Sequence, residues 1–375
     1  MTAITWPAVL AWRVRRQALA SREPRARALA VASRIAGLHA QLMGSAELTL
    51  WARVEGLERD AVRTALWEDR TLVKTWAQRG TLHLLPADEL PLWVAAQAAL
   101  KPRHHVPSWL RYHGLTREQA DAMLAAIPVA LDGKQLTREE LAAEVERVSG
   151  IAGVGDRLRG GFGDLLKPAA FRGDLCFVPS AGRNVRFGRP DQWLGPWEPA
   201  ETDAGVREIT RRYLAAFGPA SREALARWFG TSSPAVAGRW LDGLGDEVVA
   251  VDVEGAELTA LAADVEALAA AEPDGEVRLL PAFDQYTVAA PRDGDAVLPA
   301  SLRARVYRPQ GWLSPVLLVE GRMAGVWSHE AKGGRLVVEV EPFAPLGRRE
   351  RAAAEAEAES LAAFLGGRLE LRWAP

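Results

Sequence analysis

Two side chains in the stretch "GLHAQLMG", residues 37–44, could do chemistry together: His39 and Gln41. A neutral imidazole titrates near working pH, at about 6.5, so it can take a proton from water. An amide carbonyl can accept a second hydrogen bond from the same water. In an extended segment residues i and i+2 point the same way. His39 and Gln41 would then share one face, with Leu38, Ala40 and Leu42 anchoring the other. A simpler reading leaves both as helix caps or solvated polar groups. Spacing alone does not separate the two.

The elements that must position this pair are helices. "RARALAVASRIA" before it and "SAELTLWARV" after it carry apolar stripes at helical spacing, and Ser45 is the expected N-cap of the second. Farther on, one order recurs. "LERDAVRTALWED" reads as a helix and "TLVKTWAQRGTLHLLP" as a strand pair around Gly80. "LTREQADAMLAAIPVAL" and "LTREELAAEVERV" read as helices, the latter opened by a Thr137–Glu140 capping box. A glycine-interrupted helix, "DRLRGGFGDLLKPAAF", and a hairpin, "GDLCFVPSAGRNVRFGRP", follow. Over 204–261 come a helix, a second capped by Ser221, a "GTSSP" turn, a third led by Ser233, and a hairpin. Helices followed by a hairpin is the winged-helix order. The expected domains are 1–95 (N-terminal helices and a first winged helix with the HAQ segment), 96–200 (a second, with a long hairpin), and 201–262 (a third). An α+β module follows over 276–375, in which "EVRLLPAFDQYTVAA" reads as strand. The predicted class is α+β.

Composition narrows the function. The 375 residues are 49% hydrophobic and 25% charged with a net charge of −2, so no strongly basic domain announces nucleic acid. Arginines do cluster: Arg13, Arg15, Arg16, Arg22, Arg25, Arg27 and Arg34 face a single acid, Glu23, in residues 1–35. Cys176 is the only cysteine, which excludes an intrachain disulfide and a thiolate metal cluster. The six histidines lack helical ligand spacing, and His104 and His105 are adjacent. No apolar run reaches membrane-spanning length, and no basic region precedes the apolar N-terminus. A cytoplasmic, soluble protein without metal or cofactor is expected. The fourteen tryptophans, Trp6, Trp12, Trp51 and Trp67 among them, read mostly as core.

The stretches "GLHAQ", "RGTLHLL", "GDLCFVPSAGRNVRFGRP", "LLPAFDQY" and "PVLLVEGRMAGVW" together span nearly the whole chain. On them the chain resembles the tandem winged-helix DNA glycosylases typified by the azinomycin-resistance enzyme AlkZ and by YcaQ. The resemblance implies three winged-helix units forming a C-shaped scaffold around a DNA channel. It implies excision of alkylated purines, including bulky or crosslinked adducts, from duplex DNA by a monomer. The family motif is Gln-Φ-Gln, where Φ is apolar, or Gln-Φ-Asp in the YcaQ branch. Gln41 matches the second Gln, and His39 stands where the first is usual, a subtype of the motif. The resemblance makes these two the catalytic pair. Glycosidic hydrolysis passes through an oxocarbenium-like state and needs a placed water. An N7- or N3-alkylpurine already carries positive charge and leaves without an acid, so a carboxylate-free pair can suffice.

Other candidates are softer. Arg79, Thr81 and His83 lie on a wing strand, and Arg183, Asn184 and Arg186 at a hairpin tip, where cations can straddle phosphates or enter a minor groove. Ordinary hairpin polarity accounts for them equally well. Asp284 and Tyr286 match "FD-x-Y" and read as architectural, or auxiliary to the site. The competing function is a non-enzymatic winged-helix DNA-binding protein, a transcription regulator or damage sensor, since winged helices bind more often than they catalyse. Units serving protein–protein contact are a third reading. A regulator has no use for a polar pair outside its recognition helices.

Overall fold

The computed structural model describes residues 3–160, 163–231, 233–292 and 294–374. The chain divides into two compact units, Met1–Val62 with Thr210–Pro375, and Arg63–Ile209. The fold is mixed α+β. No helix among the described residues is long and apolar enough to cross a membrane.

In the first unit, Thr5 caps the helix Trp6–Arg16 by accepting from the Ala8 amide. The strand Ala3–Ile4 before it runs parallel to Val248–Val253, which pairs antiparallel with Ala256–Leu261. Ile4, Val9, Val251 and Val253 close a small core there. Ahead of that hairpin come the helices Thr202–Phe217, Arg222–Phe229 and Pro234–Asp242. Ser221 caps the second, accepting from Ala224 N, as its sequence predicts. Ser232 of the expected turn lies outside the described residues.

The C-terminal part is a sheet in the order Val277–Leu280, Val316–Val319, Arg322–Lys332, Arg335–Pro342, Arg368–Trp373. Its pairs are antiparallel except the last, where the helix Arg348–Leu365 makes the parallel crossover. The strand expected through Ala290 stops at Leu280. Gln285–Ala289 is instead a short helix, because the Asp284 side chain accepts from the Tyr286 amide and caps it.

In the second unit, the hairpin of Leu72–Trp76 and Leu82–Pro86 joins, through Lys74 and Phe177, the hairpin of Cys176–Ala181 and Asn184–Gly188. Its core is built from Trp76, Met123, Ile127, Leu141, Phe177 and Phe187. The Thr137–Glu140 capping box forms as expected. The glycine-interrupted helix is two short ones, Val154–Arg159 and Lys167–Phe171, with Gly161 and Phe162 outside the described residues.

Candidate active site

The HAQ segment enters through a tight helix ending. After the helix Ala28–Arg34, the Ala36 amide bonds to Ser33 O and the Gly37 amide to Ala32 O, each at 2.9 Å. That is a Schellman ending, with Ala36 at φ 58° in the left-handed position that glycine usually fills. Gly37, at φ 91°, turns the chain into the short strand Leu38–His39. The next helix begins at Met43, so Ser45 sits inside it rather than capping it. There the Ser45 carbonyl accepts from Thr49 Oγ1.

His39 is 3% exposed, and Leu38 and Ala40 are fully buried. The strand ends at His39, and Gln41 lies in a bend, exposed. Leu42, expected to anchor the buried side, is 39% exposed. The regular alternation therefore does not run past Ala40. One member of the pair is packed into the fold, and the other lies at its surface.

What packs on His39 is the "FDQY" segment. The Phe283 ring lies parallel to the imidazole, 6° from coplanar at 4.8 Å between centroids. Phe283 holds φ at 59°, a conformation that costs a non-glycine residue about 1–2 kcal/mol. Its neighbours hold it there. Arg53 donates to both Asp284 oxygens, at 2.7 and 2.8 Å, and both side chains are fully buried. Gln285 Nε2 donates to the Gly37 carbonyl at 2.8 Å, tying this segment to the turn that launches the strand. Tyr286 Oη donates to Gly321 O at 2.6 Å, and its hydroxyl pKa is pushed up by burial. Gly321 must be glycine: at φ 74°, a Cβ would come within 2.7 Å of Leu10 Cβ. Asp284 and Tyr286 thus hold the framework, and Tyr286 lines a small cavity with Arg13 and Gln17.

Sequence reasoning passed over Phe283, Gln285 and Arg53. The clue was a lone cation in the apolar run "LTLWARV" and a lone acid in "LLPAFDQYTV", each needing a partner if buried.

A family model for AlkZ-like DNA glycosylases matches residues 32–364. The chain belongs to this family. It is accordingly an enzyme, a hydrolase of N-glycosidic bonds. This AlkZ-like glycosylase is 38% identical to an interstrand DNA cross-link repair glycosylase of Streptomyces sahachiroi, over 98% of its own length and 99% of the relative's. The solved structure of the Streptomyces sahachiroi DNA glycosylase AlkZ superposes on the whole of both chains with a TM-score of 0.90 and 36% identity.

The residues singled out for DNA contact in this AlkZ-like enzyme fall in the second unit. Arg79 (φ 57°) and Gly80 form the turn of the first hairpin. Thr81 Oγ1 donates to Gln78 O, and the fully buried His83 donates from Nδ1 to Thr81 O at 3.0 Å. Arg183 and Asn184 are exposed at the other hairpin's tip, while Arg186 Nε donates to Pro179 O at 2.7 Å within the hairpin. The arginines clustered in the first 35 residues are largely spent inside the first unit. Arg13, Arg15 and Arg16 donate to backbone carbonyls of Pro219, Glu272 and Ala215, and Arg22, Arg25 and Arg34 pair with Glu357, Glu58 and Glu23.

His104, His105 and Asp121 do come together, with ligand atoms within 4.8 Å. Arg117 Nη2 donates to His105 Nδ1, so the ring proton sits on Nε2 and faces Asp121 Oδ1 at 2.6 Å. A metal held at Nε2 needs the opposite tautomer. The group is a hydrogen-bonded chain. Trp51 is buried as expected, and Trp6, Trp12 and Trp67 are half-buried.

Proposed function

We propose that this enzyme excises cationic N7- or N3-alkylated purines, bulky adducts and interstrand crosslinks among them, from duplex DNA. His39 and Gln41 hold the hydrolytic water. The water oxygen bonds to C1′ of the deoxyribose, and the C1′–N bond breaks. Its electron pair enters the purine, which leaves neutral, and the water's proton passes to the imidazole. The observation that carries the reading is His39 itself, buried and stacked on Phe283, with Gln41 exposed two residues on. A stack fixes the plane of the imidazole, so a water held by a ring nitrogen lies in that plane. The cross-link substrate comes from the named activity of the 38% identical relative.

Three tandem winged-helix units carry the DNA in this reading, as a monomer without cofactor. Arg79, Arg183 and Asn184 contact it directly. Thr81, His83 and Arg186 shape the hairpins that present them. A regulator without chemistry is not favoured, because the family and the named relatives are glycosylases.

The test is single-turnover release of N7-methylguanine from duplex DNA. His39→Ala and Gln41→Ala should each lower the rate on the order of 10²-fold while DNA affinity stays near wild type. Wild-type rates in both variants, or preference for a neutral base such as uracil, would defeat the mechanism.

A further inference from the structure

We infer that Trp312 is a stacking surface that selects purines carrying a planar aromatic adduct. The inference rests on the reading of His39 given above. Trp312 is 48% exposed, unusual for the largest apolar side chain. Its ring and that of Phe283 meet edge to face, 5.1 Å between centroids at 77°, and Phe283 in turn lies flat on His39. Three rings therefore lead outward in sequence: imidazole, phenyl, indole.

The indole is not on a loose loop. The Arg308 amide bonds to Trp312 O at 2.8 Å, the Trp312 amide bonds back to Pro309 O, and Tyr307 bridges to Leu313. Gln310 and Gly311, at φ 58° and 76°, close that turn. Phe283 is equally fixed by its flanking ion pair and by Gln285. The surface is preorganised, so a ligand stacking on it loses little freedom to the protein's own ordering.

Position sets the ligand class. With C1′ beside His39, the purine reaches alongside Phe283, one ring out. A group carried on N7 projects from the purine edge away from N3, and in this reading toward the second ring. A methyl is too small to cover an indole, whereas a fused aromatic system covers it by face-to-face or edge contact. Stacking of this kind tolerates many ring types and needs no hydrogen bonds.

The experiment compares two cationic substrates in the same duplex: N7-methylguanine and the N7-guanine adduct of aflatoxin B1 epoxide, a flat polycycle. Trp312→Ala should lose about tenfold more single-turnover rate on the polycyclic adduct than on N7-methylguanine, and Trp312→Phe should recover most of it. Equal losses on both substrates, or none on either, would overturn the inference. His39→Ala runs in parallel. Wild-type rates for His39→Ala on both substrates would defeat the catalytic reading, whatever Trp312→Ala does. A normal unfolding midpoint for Trp312→Ala shows that the rates report the site and not the fold.

Discussion

Asp284→Asn should destabilise the first unit far more than its one-atom change suggests. Asp284 and Arg53 are both fully buried. Arg53 gives two bonds to the carboxylate and a third, from Nη1, to Thr49 O at 2.9 Å. Asparagine keeps the shape but removes the charge, and its NH₂ faces a guanidinium N–H. A buried cation left without its counter-charge costs about 3–5 kcal/mol. Guanidinium unfolding followed by tryptophan fluorescence reads this as a lower midpoint at unchanged slope. The double variant Arg53→Met, Asp284→Leu removes both charges and should be less destabilised than Asp284→Asn alone. Its excision rate should still fall, since Phe283 and Gln285 lose the anchor that holds them against His39 and Gly37. Asp284→Asn within about 1 kcal/mol of wild type would refute the reasoning. So would a double variant less stable than the single, or one that excises at the wild-type rate.

Glu276 supplies a pH test. Burial, with Asp274 beside it, pushes its carboxyl up to about 7. A folded-state value above the unfolded one means that its contribution is fully present below the unfolded range and is lost as pH rises through about 7. Glu276→Gln should therefore be more stable than wild type at about pH 8 and not at about pH 4; urea midpoints at both check the sign, and an equal gain at the two contradicts it. Arg183→Ala should weaken duplex binding and lower the log–log salt slope by about 1, measured by fluorescence anisotropy, and an unchanged slope removes Arg183 from the phosphate contacts.

Local chemistry was legible in the sequence where a local rule decides. The Thr137 capping box, the Ser221 cap and the turn at Gly80 all need only residues within one turn of each other. The strand predicted over Gln285–Ala289 failed because its residues, "QYTVA", suit a strand, while Asp284 caps a helix there by accepting from the Tyr286 amide; what holds Asp284 in place, Arg53, lies 231 residues away. Ser45 looked like a cap by type, but the helix starts at Met43. The arginine cluster of residues 1–35 is real. Its destination, carbonyls and glutamates of the same unit, is a tertiary fact that charge counting cannot reach. His39 and Gln41 were singled out by type and by the family resemblance, while alternation mispredicted Leu42, since the strand is only two residues long.

The fate of Asp284 bears on which leaving groups the enzyme can serve. Most glycosidic chemistry pairs a base or nucleophile with a carboxylic acid that protonates what departs. Among the described residues, a carboxylate that the fold brings beside the His39 segment is Asp284, next to the Phe283 that stacks on His39. It is the ion-pair partner of Arg53, and its Oδ1 also accepts from the Tyr286 amide. Both its oxygens are engaged by Arg53 and one also by the Tyr286 amide, and it is fully buried, so it is committed to the framework. A neutral purine would gain nothing from it. A purine made cationic by alkylation needs nothing from it, because the breaking bond's electron pair cancels a charge already present. A motif with an imidazole and an amide but no acid, and the use of Asp284 as a clamp held by Arg53, are both in keeping with the proposed cationic substrate.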